Sequence, residues 1–297
     1  MSQRPIPAFV NLESGSGKAA RDALEAVGAF TVEACDPESM DEQIENAVSA
    51  GADRIVVAGG DGTVAKAAAA LVGTKTALSV VPGGTLNHFA KDHGIPTDHA
   101  EAARISATGT TITADVATVN GRLFLNTSSV GAYVVFVRTR ERIERYFGYR
   151  LATLIAGLRL LGRVRPFTVE LRLDGEMRRY RSALVFVGVG ERELQLPSVG
   201  GRAKDGRRGL HVIVVRGGTF ARLVAAGVTA ALRGNIAIDR GKLMDTFVVD
   251  ECRIELRRRA GRVAIDGELV ELNSPLEYRI DRDALLLVVP PDDATTA

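Results

Sequence analysis

The sequence is poor in cysteine, nearly balanced in charge and free of long apolar runs. Its two cysteines, Cys35 and Cys252, stand in no metal-binding spacing, so we expect free thiols in a reducing compartment. The 38 basic and 36 acidic residues nearly cancel, and a net charge of +2 gives no indication of a nucleic-acid partner. No apolar run reaches the roughly 20 residues that span a bilayer, and residues 1–11 lack the apolar core of a signal peptide. We therefore expect a cytoplasmic protein.

The length and composition indicate two globular domains. A chain of 297 residues suits two domains, each with its own hydrophobic core. Hydrophobic residues make up 46% and charged residues 25% of the chain, which is ordinary for folded proteins and excludes general disorder.

The first part of the chain alternates strand and helix patterns. The run Arg54–Ala58 is short, apolar and rich in β-branched residues, and glycines follow it, as is typical of a buried parallel strand. The repeated alternation predicts an open, mostly parallel α/β sheet with helices on both faces over residues 1–114. Strands are predicted over Ile6–Val10, Phe30–Ala34, Arg54–Ala58 and Leu78–Val81, and helices over Lys18–Val27, Met40–Ala50 and Thr63–Leu71.

From residue 115 to residue 297 the chain shows many short strand patterns and few helical ones. This part predicts a second, β-rich domain with the architecture of a β-sandwich, whose last residues could return to the first domain. The predicted strands are Leu123–Thr127, Phe167–Leu173, Ser182–Val189, Leu210–Val215, Arg253–Arg257, Val263–Ile265 and Leu285–Val289.

The segment Gly59-Gly60-Asp61-Gly62-Thr63 follows a predicted strand and opens a predicted helix. Glycines let the backbone approach a phosphate closely, and the helix start offers free N–H groups and a positive dipole end. The Asp61 carboxylate could hold Mg²⁺ directly or through water. The alternative is an ordinary glycine turn capped by Asp61 and Thr63. Ligands of open parallel sheets bind beyond the carboxyl ends of the strands, which favours a phosphate site here.

Two further glycine turns follow predicted strands. In Pro82–Ala90, Thr85 could hydrogen-bond a phosphate, and Asn87 could cap a helix or contact the ligand. The turn Asn11–Lys18 is not a Walker A loop, because leucine stands at position 12, where glycine is required, and alanine stands at position 19, where serine or threonine is required. All three turns are expected at one edge of the sheet.

These three turns, in this order, resemble the diacylglycerol kinase catalytic-domain family, which includes bacterial lipid kinases and sphingosine kinases. The first motif alone would also fit NAD kinases and phosphofructokinases, so the later motifs distinguish the families. The resemblance spans nearly the whole chain. The matching segments are Asn11–Gly15, Gly59–Thr63, Pro82–Ala90, Asp115, Phe124-Leu125-Asn126 with Gly131, and Asp266-Gly267-Glu268.

The resemblance implies an ATP-dependent lipid kinase that phosphorylates the hydroxyl of diacylglycerol or a related lipid alcohol. It implies a nucleotide-binding domain over residues 1–114, a lipid-substrate domain over residues 115–297, and ATP in a cleft between them. The residues implied for ATP binding are Asn11, Ser14, Gly15, Gly59, Gly60, Asp61, Gly62, Thr63, Thr85 and Asn87.

The resemblance also implies roles for three acidic residues. Glu268 would be the general base that takes the proton from the lipid hydroxyl, and Asp61 and Asp115 would organise catalytic Mg²⁺ through water. Without the resemblance, Asp266-Gly267-Glu268 would be interpreted as a tight turn with solvated acids.

Two departures from the family pattern concern metal ions. His88 stands where the family commonly has aspartate, and an imidazole cannot replace a carboxylate in a Mg²⁺–water network. At Lys204–Leu210 many bacterial members have two adjacent acids that hold a structural Mg²⁺, whereas this chain keeps Asp205 alone. We therefore expect this second metal site to be weakened or lost.

One basic stretch of the chain gives an indication of the partners that the protein binds. Residues 138–182 carry 12 arginines against 5 acidic residues, which suits an anionic surface, although a solvated arginine-rich face is the alternative. Within it, Tyr149–Arg165 has leucines at helical spacing among arginines, so this helix could lie on an anionic membrane or face the core. The expected partners are a lipid alcohol and, transiently, a membrane surface at which the protein is peripheral. A homodimer is an option that the sequence does not decide.

Two other functions remain open. NAD kinases share the Gly59–Thr63 motif, but they are expected to have an Asn-Glu pair downstream, and the nearest candidate, Asn126-Thr127, lacks the acid. A catalytically silent lipid- or nucleotide-binding regulator would fit His88 and the altered turn at Asp205, although all three candidate catalytic acids are present.

Overall fold

A computed structural model describes residues 4–36, 38–131, 167–173, 175–195, 198–203, 205–217, 244–256 and 259–291. The chain divides into two compact units. The first unit comprises Met1–Val116 together with Asp281–Ala297, and the second comprises Ala117–Ile280. The sequence predicted a domain boundary after residue 114. The amphipathic helix predicted over Tyr149–Arg165 lies outside the described residues. Among the residues that are described, no helix is both long enough and apolar enough to cross a bilayer.

The first unit alternates strands and helices along the chain. All of the strands and helices predicted for it are present, with ends within two residues of the prediction. Its elements are β1 (Ile6–Val10), α1 (Gly17–Val27), β2 (Phe30–Ala34), α2 (Met40–Ser49), β3 (Arg54–Gly59), α3 (Asp61–Leu71), β4 (Ala77–Pro82), α4 (His88–Asp92), α5 (His99–Thr108) and the first part of β5 (Thr110–Val119).

The strands of the first unit form a parallel sheet in the order β4-β3-β1-β2. The last strand of the chain, β17 (Leu276–Val289), enters this unit at Asp281 and pairs in parallel with β4 through Leu287 and Leu78. The C-terminal segment therefore completes the sheet of the first unit.

Strand β3 is buried on both of its faces. Val56 and Ala58 pack with Leu24 of α1 and with α5, while Ile55 and Val57, which point to the opposite face, are equally buried. On that side α3 packs against β3 and α2 packs against α3. Helices on both faces explain why the strand is a continuous apolar run.

The second unit is built from antiparallel strands. It also holds the end of β5 and the start of β17. Its other strands are β6 (Arg122–Phe124), β7 (Thr127–Gly131), β8 (Phe167–Leu173), β9 (Glu176–Val189), β10 (Arg192–Gln195), β11 (Ser198–Arg202), β12 (Leu210–Arg216), β13 (Met244–Val249), β14 (Glu251–Leu256), β15 (Ala260–Ile265) and β16 (Glu268–Asn273).

The long strand β9 takes part in two groups of strands. Its first half pairs with β8, and its second half lies between β7 and β12. From β8 the strand order continues to β14 and β17, and from β7 it continues to β15 and β16. Side chains of both groups, such as Val187, Leu171 and Tyr278, share one hydrophobic core. This is the sandwich arrangement that the strand pattern predicted.

The prediction of one strand over Leu123–Thr127 is wrong. The chain breaks between β6 and β7, because the N–H groups of Leu125, Asn126 and Thr127 donate to the carboxylate of Asp266 at 2.7, 2.9 and 2.8 Å. These N–H groups are therefore not available to a strand partner. The local sequence does not reveal the break, since Asp266 lies 139 to 141 positions further along the chain.

Candidate active site

Three loops leave the carboxyl ends of parallel strands in the first unit. Loop 1 (residues 11–16) follows β1, loop 2 (residues 59–63) joins β3 to α3, and loop 3 (residues 83–87) follows β4. Strand β3 lies between β1 and β4, so the loops emerge side by side. The three glycine turns singled out from the sequence thus lie at one edge of the sheet.

Ser16 joins loop 1 to loop 3. Its hydroxyl donates to the carbonyl oxygen of Gly83 at 3.0 Å, and His99 Nε2 lies 3.2 Å from the same hydroxyl oxygen. Because a hydroxyl has one proton, the Ser16 oxygen must accept from His99, which places a hydrogen on Nε2 of the ring. Sequence reasoning missed His99, since 83 positions separate it from Ser16 and no local pattern links them.

Loops 2 and 3 approach each other through glycines. The N–H of Gly83 donates to the carbonyl oxygen of Gly59 at 2.7 Å. A Cβ on Gly84 would lie only 2.7 Å from the Cα of Gly60, so the backbone would have to move to admit it. A Cβ on Gly60 would lie 3.4 Å from the Cα of Gly84, and the backbone of Gly60 is extended. The fold therefore requires glycine at position 84 but not at position 60.

Asn11 shapes loop 1 and ties it to loop 2. Its carbonyl oxygen accepts from the N–H and the hydroxyl of Ser14 at 3.2 and 2.7 Å, which closes a tight turn. Its side-chain oxygen accepts from the N–H of Glu13 at 3.0 Å, and its Nδ2 donates to the Thr63 hydroxyl at 3.4 Å. A Cβ on Gly15 would meet nothing within 4 Å, so loop 1 has open space at that residue.

The helices that begin at loops 1 and 2 have no side-chain cap. Ser16 precedes α1, but its hydroxyl bonds Gly83 instead of the helix, and Gly60, which precedes α3, has no side chain. By contrast, Asp98 caps α5 by accepting from the N–H of Glu101 at 2.9 Å. Unsatisfied N–H groups and the helix dipole make the starts of α1 and α3 attractive to an anion.

Asp61 is the first residue of α3 and is half-buried. One of its carboxylate oxygens accepts from the N–H of Phe89 at 3.3 Å, which fixes the side chain against α4. Within the described residues this is the one hydrogen bond of the carboxylate, so its other oxygen is available to a ligand.

Asn87 braces loop 3. Its backbone is in the left-handed region at a φ of 50°, and its amide accepts from the N–H and donates to the carbonyl of Gly84 at 2.9 and 2.8 Å. The amide therefore shapes the loop and does not cap α4. Thr85 and His88 lie on either side of Asn87 in the sequence, and both are exposed. Thr85 has a hydroxyl group, whereas His88 lacks the carboxylate that the family commonly has at this position.

Asp115 lies within β5 and is buried, with 3% of its surface exposed. One of its carboxylate oxygens accepts from the N–H of Asp283 at 3.1 Å. Asp283 in turn accepts from the hydroxyl of Thr113 at 2.7 Å. The C-terminal segment thus fixes the Asp115 side chain.

The first unit therefore offers Asp61 and Asp115 as carboxylates for a metal ion. Mg²⁺ is usually held by one or two protein carboxylates together with waters and substrate phosphates, and a carboxylate is the type of ligand that each of these residues supplies. Over the described parts of the chain, no three His, Cys, Asp or Glu side chains gather closely enough to hold a metal ion. A Mg²⁺ ion here would thus depend on the phosphates of a bound nucleotide.

In the second unit, Asp266 organises the turn that leads to Glu268. Asp266 and Gly267 have φ angles of 45° and 89°, and the N–H of Asp266 donates to the carbonyl of Thr127 at 2.8 Å. With the three bonds that its carboxylate accepts from Leu125, Asn126 and Thr127, Asp266 fastens this turn to the segment between β6 and β7. Sequence reasoning quoted Asp266 within a motif but gave it no role.

Glu268 begins β16 and is exposed, with 62% of its side-chain surface accessible. Its carboxylate pairs with the guanidinium of Arg122 at 3.1 Å. An ion pair this exposed contributes at most about 1 kcal/mol to stability, but it restricts the directions that the carboxylate takes.

Asp205 lies in an exposed turn of the second unit. The carboxylate of Glu191 accepts from the N–H of Arg207 at 3.0 Å and so holds this turn. This hydrogen bond, with help from the Arg207 guanidinium, lowers the pKa of Glu191. The loss of a metal site at Asp205 stays a prediction.

Substitutions of Gly84 and Gly60 distinguish an effect on stability from an effect on ligand binding. We expect Gly84→Ala to destabilise the first unit by about 1–3 kcal/mol, because the new Cβ overlaps the backbone of Gly60. Gly60→Ala should change stability by less than about 0.5 kcal/mol. It should still weaken ATP binding about tenfold or more, because a methyl group would stand where a phosphate approaches. Chemical denaturation and calorimetric titration measure the two effects, and full ATP affinity in Gly60→Ala would contradict this assignment.

Substitution of Asp266 should destabilise the second unit. Asp266→Ala removes the acceptor of three N–H groups and places alanine at positive φ, so we expect a loss of about 3 kcal/mol or more. Asp266→Asn keeps one acceptor oxygen and tolerates positive φ, so its loss should be smaller. Glu268→Ala, two positions away, is the matched control and should unfold at nearly the wild-type denaturant concentration. Equal stabilities of Asp266→Ala and this control would show that the three bonds do not hold the segment.

Comparison with solved structures identifies the class of fold. The crystal structure of a diacylglycerol kinase from Bacillus anthracis superposes with a TM-score of 0.71, covers 98% of each chain and is 20% identical in sequence. At this identity the likeness shows the fold, which is a diacylglycerol kinase-like α/β fold, as the sequence predicted.

Sequence comparison finds a family match for the first part of the chain. Residues 5–119, which contain loops 1 to 3 and Asp115, match the family model described as the diacylglycerol kinase catalytic domain. This segment is thus similar to the diacylglycerol kinase catalytic-domain family, which confirms the resemblance stated from the motifs.

Two named bacterial relatives match part of the chain. A diacylglycerol kinase from Mycobacterium tuberculosis is 33% identical over 183 residues, which are 57% of this chain and 59% of that protein. A protein from Klebsiella pneumoniae named "Probable lipid kinase YegS-like" is 32% identical over 151 residues, which are 50% of each chain. The chain thus matches between 50% and 59% of the length of these two relatives.

Proposed function

We propose that the protein is an ATP-dependent lipid kinase, which transfers the terminal phosphate of ATP to the hydroxyl of a lipid alcohol. The observation that carries the proposal is the meeting of three glycine loops with two uncapped helix starts, an arrangement that suits a triphosphate. The names of the relatives from Mycobacterium tuberculosis and Klebsiella pneumoniae support a lipid as the acceptor.

ATP would be held by the residues of the three loops. The N–H groups at the starts of α1 and α3 bind phosphate oxygens, and Gly60 leaves room for the phosphates to approach. The Thr85 hydroxyl donates a further hydrogen bond. Asp61 and Asp115 would hold Mg²⁺ through water, and the ion would neutralise phosphate charge.

Glu268 would act as the general base in the second unit. Its exposed carboxylate takes the proton of the lipid hydroxyl while the hydroxyl oxygen bonds to the terminal phosphorus and the bond from that phosphorus to ADP breaks. Arg122 orients the carboxylate through the ion pair at 3.1 Å. Asp266 holds the turn on which Glu268 stands.

A lipid panel tests the proposal. The protein is incubated with radiolabelled ATP, Mg²⁺ and diacylglycerol, monoacylglycerol or a sphingoid base in detergent micelles, and the products are identified by mass spectrometry. A labelled lipid phosphate is the expected product. Transfer to NAD in a parallel reaction would indicate an NAD kinase. Nucleotide binding without transfer would indicate a silent regulator, which the exposed His88 and the exposed Asp205 would fit.

A further inference from the structure

The Asn126 side chain of the second unit is buried without satisfying its hydrogen-bonding capacity. Asn126 is 4% exposed, and its side-chain oxygen is buried with no hydrogen-bond partner among the described residues. A buried polar atom left unpaired costs free energy, and nearly all such atoms in folded proteins have a partner. The position therefore calls for a partner that the described residues do not supply.

The backbone groups of Asn126 have hydrogen-bond partners other than its own side-chain amide. Its N–H donates to a carboxylate oxygen of Asp266 at 2.9 Å. Its carbonyl oxygen accepts from the N–H of Val189 and from the guanidinium of Arg192, each at 3.0 Å. Both backbone groups of this residue are satisfied, so the backbone is held in place without a bond from the side-chain oxygen.

Two of the three buried serine hydroxyls described in this unit are paired, whereas the Ser129 hydroxyl, three positions from Asn126, is buried with no hydrogen-bond partner among the described residues. The Ser128 hydroxyl bonds the phenol of Tyr278 at 3.0 Å, and the Ser182 hydroxyl lies 2.8 and 2.9 Å from the carbonyl oxygens of Leu184 and Val215, to which its single proton can be donated. The two unpaired side-chain oxygens, of Asn126 and Ser129, thus lie close together in the sequence, at the start of β7.

The position of Asn126 points to the acceptor substrate. Asp266, which holds the N–H of Asn126, stands two positions before Glu268 in the same turn. The Asn126 amide is thus presented on the segment that is fastened directly to the turn of the proposed base.

We propose that Asn126 binds the polar head of the acceptor lipid, and that its side-chain oxygen accepts a hydrogen bond from a second hydroxyl or an amino group beside the reacting hydroxyl. The inference rests on the proposed function. An amide oxygen only accepts hydrogen bonds, so its partner must be a donor. In diacylglycerol the single donor is the reacting hydroxyl, whose proton goes to Glu268. The favoured substrates are therefore lipids with a diol or an amino alcohol head, such as a monoacylglycerol or a sphingoid base.

The test replaces Asn126 by leucine, which has a similar size and no polar atoms. With a diol or amino alcohol lipid, we expect Asn126→Leu to raise KM about tenfold, as the loss of one hydrogen bond would. KM for ATP should stay unchanged, and so should the slower reaction with diacylglycerol. The melting temperature should stay the same or rise, because the substitution removes an unpaired buried oxygen.

Ser128→Ala is the matched control, since Ser128 is buried two positions away and its hydroxyl is paired. It should lower the melting temperature and leave every KM unchanged. If Asn126→Leu lowered the melting temperature in the same way and left KM for the lipids unchanged, the amide would serve only the fold, through a bound water, and the inference would be wrong. A wild-type preference for diacylglycerol would also overturn it. If the wild type phosphorylated no lipid at all, the proposed function itself would fail.

Discussion

Asp61→Asn is expected to lower the rate of lipid phosphorylation by about a thousandfold. Asparagine keeps the size of the side chain and an oxygen that can accept from the N–H of Phe89, so the start of α3 should be undisturbed. What it loses is the negative charge that is proposed to hold Mg²⁺. The measurement is kcat with radiolabelled ATP and the preferred lipid of the panel, together with a melting curve.

Asp41→Asn is the control for this substitution. Asp41 also lies in the first turn of a helix, in α2, and pairs with Lys66 at 3.3 Å on an exposed surface. Its replacement removes the same charge elsewhere in the unit and should leave kcat within a factor of two or so. If Asp61→Asn retained more than about a tenth of the wild-type rate at unchanged stability, Asp61 would have no part in metal binding.

Glu268→Gln is expected to reduce kcat by about 10²- to 10⁴-fold, the range that general base catalysis supplies. Glutamine can still bond Arg122 but cannot take the proton of the lipid hydroxyl. Because Glu268 is exposed, the substitution should change stability by less than about 1 kcal/mol. ATP binding should be unaffected, since the loops of the first unit are unchanged. Single-turnover transfer measured beside ATP titration distinguishes the two steps.

Glu271→Gln provides the comparison on the same strand. Glu271 is exposed in β16, three positions beyond Glu268, and its replacement should leave transfer at the wild-type rate. If Glu268→Gln were as active as Glu271→Gln, a group other than Glu268 would take the proton of the lipid hydroxyl. The proposed role of Arg122 in orienting Glu268 would then be wrong as well.

The first unit could be predicted closely because its signals are local. Arg54–Ala58 is an apolar run that ends in glycines, and the structure has β3 ending at Gly59 and α3 beginning at Asp61. A strand buried on both faces, a turn that needs glycine and a helix start stand next to each other in the sequence. The side-by-side position of loops 1 to 3 follows from the parallel order of their strands.

What could not be predicted depends on residues that are distant in sequence. The break at Leu125 and Asn126 exists because Asp266 binds their N–H groups across about 140 positions. The bond between Ser16 and His99 spans 83 positions. In loop 3 the difficulty is of another kind, since asparagine at position 87 fits a helix cap as well as the loop brace that the structure shows.

The central claim is that three loops of the first unit bind the phosphates of ATP, and amide hydrogen exchange tests it most directly. Exchange is followed by mass spectrometry with and without ATP and Mg²⁺. We predict that the nucleotide slows exchange in residues 12–18, 60–64 and 83–88 together, and leaves the capped start of α5 unchanged. Unchanged exchange in all three segments at saturating nucleotide would contradict the claim.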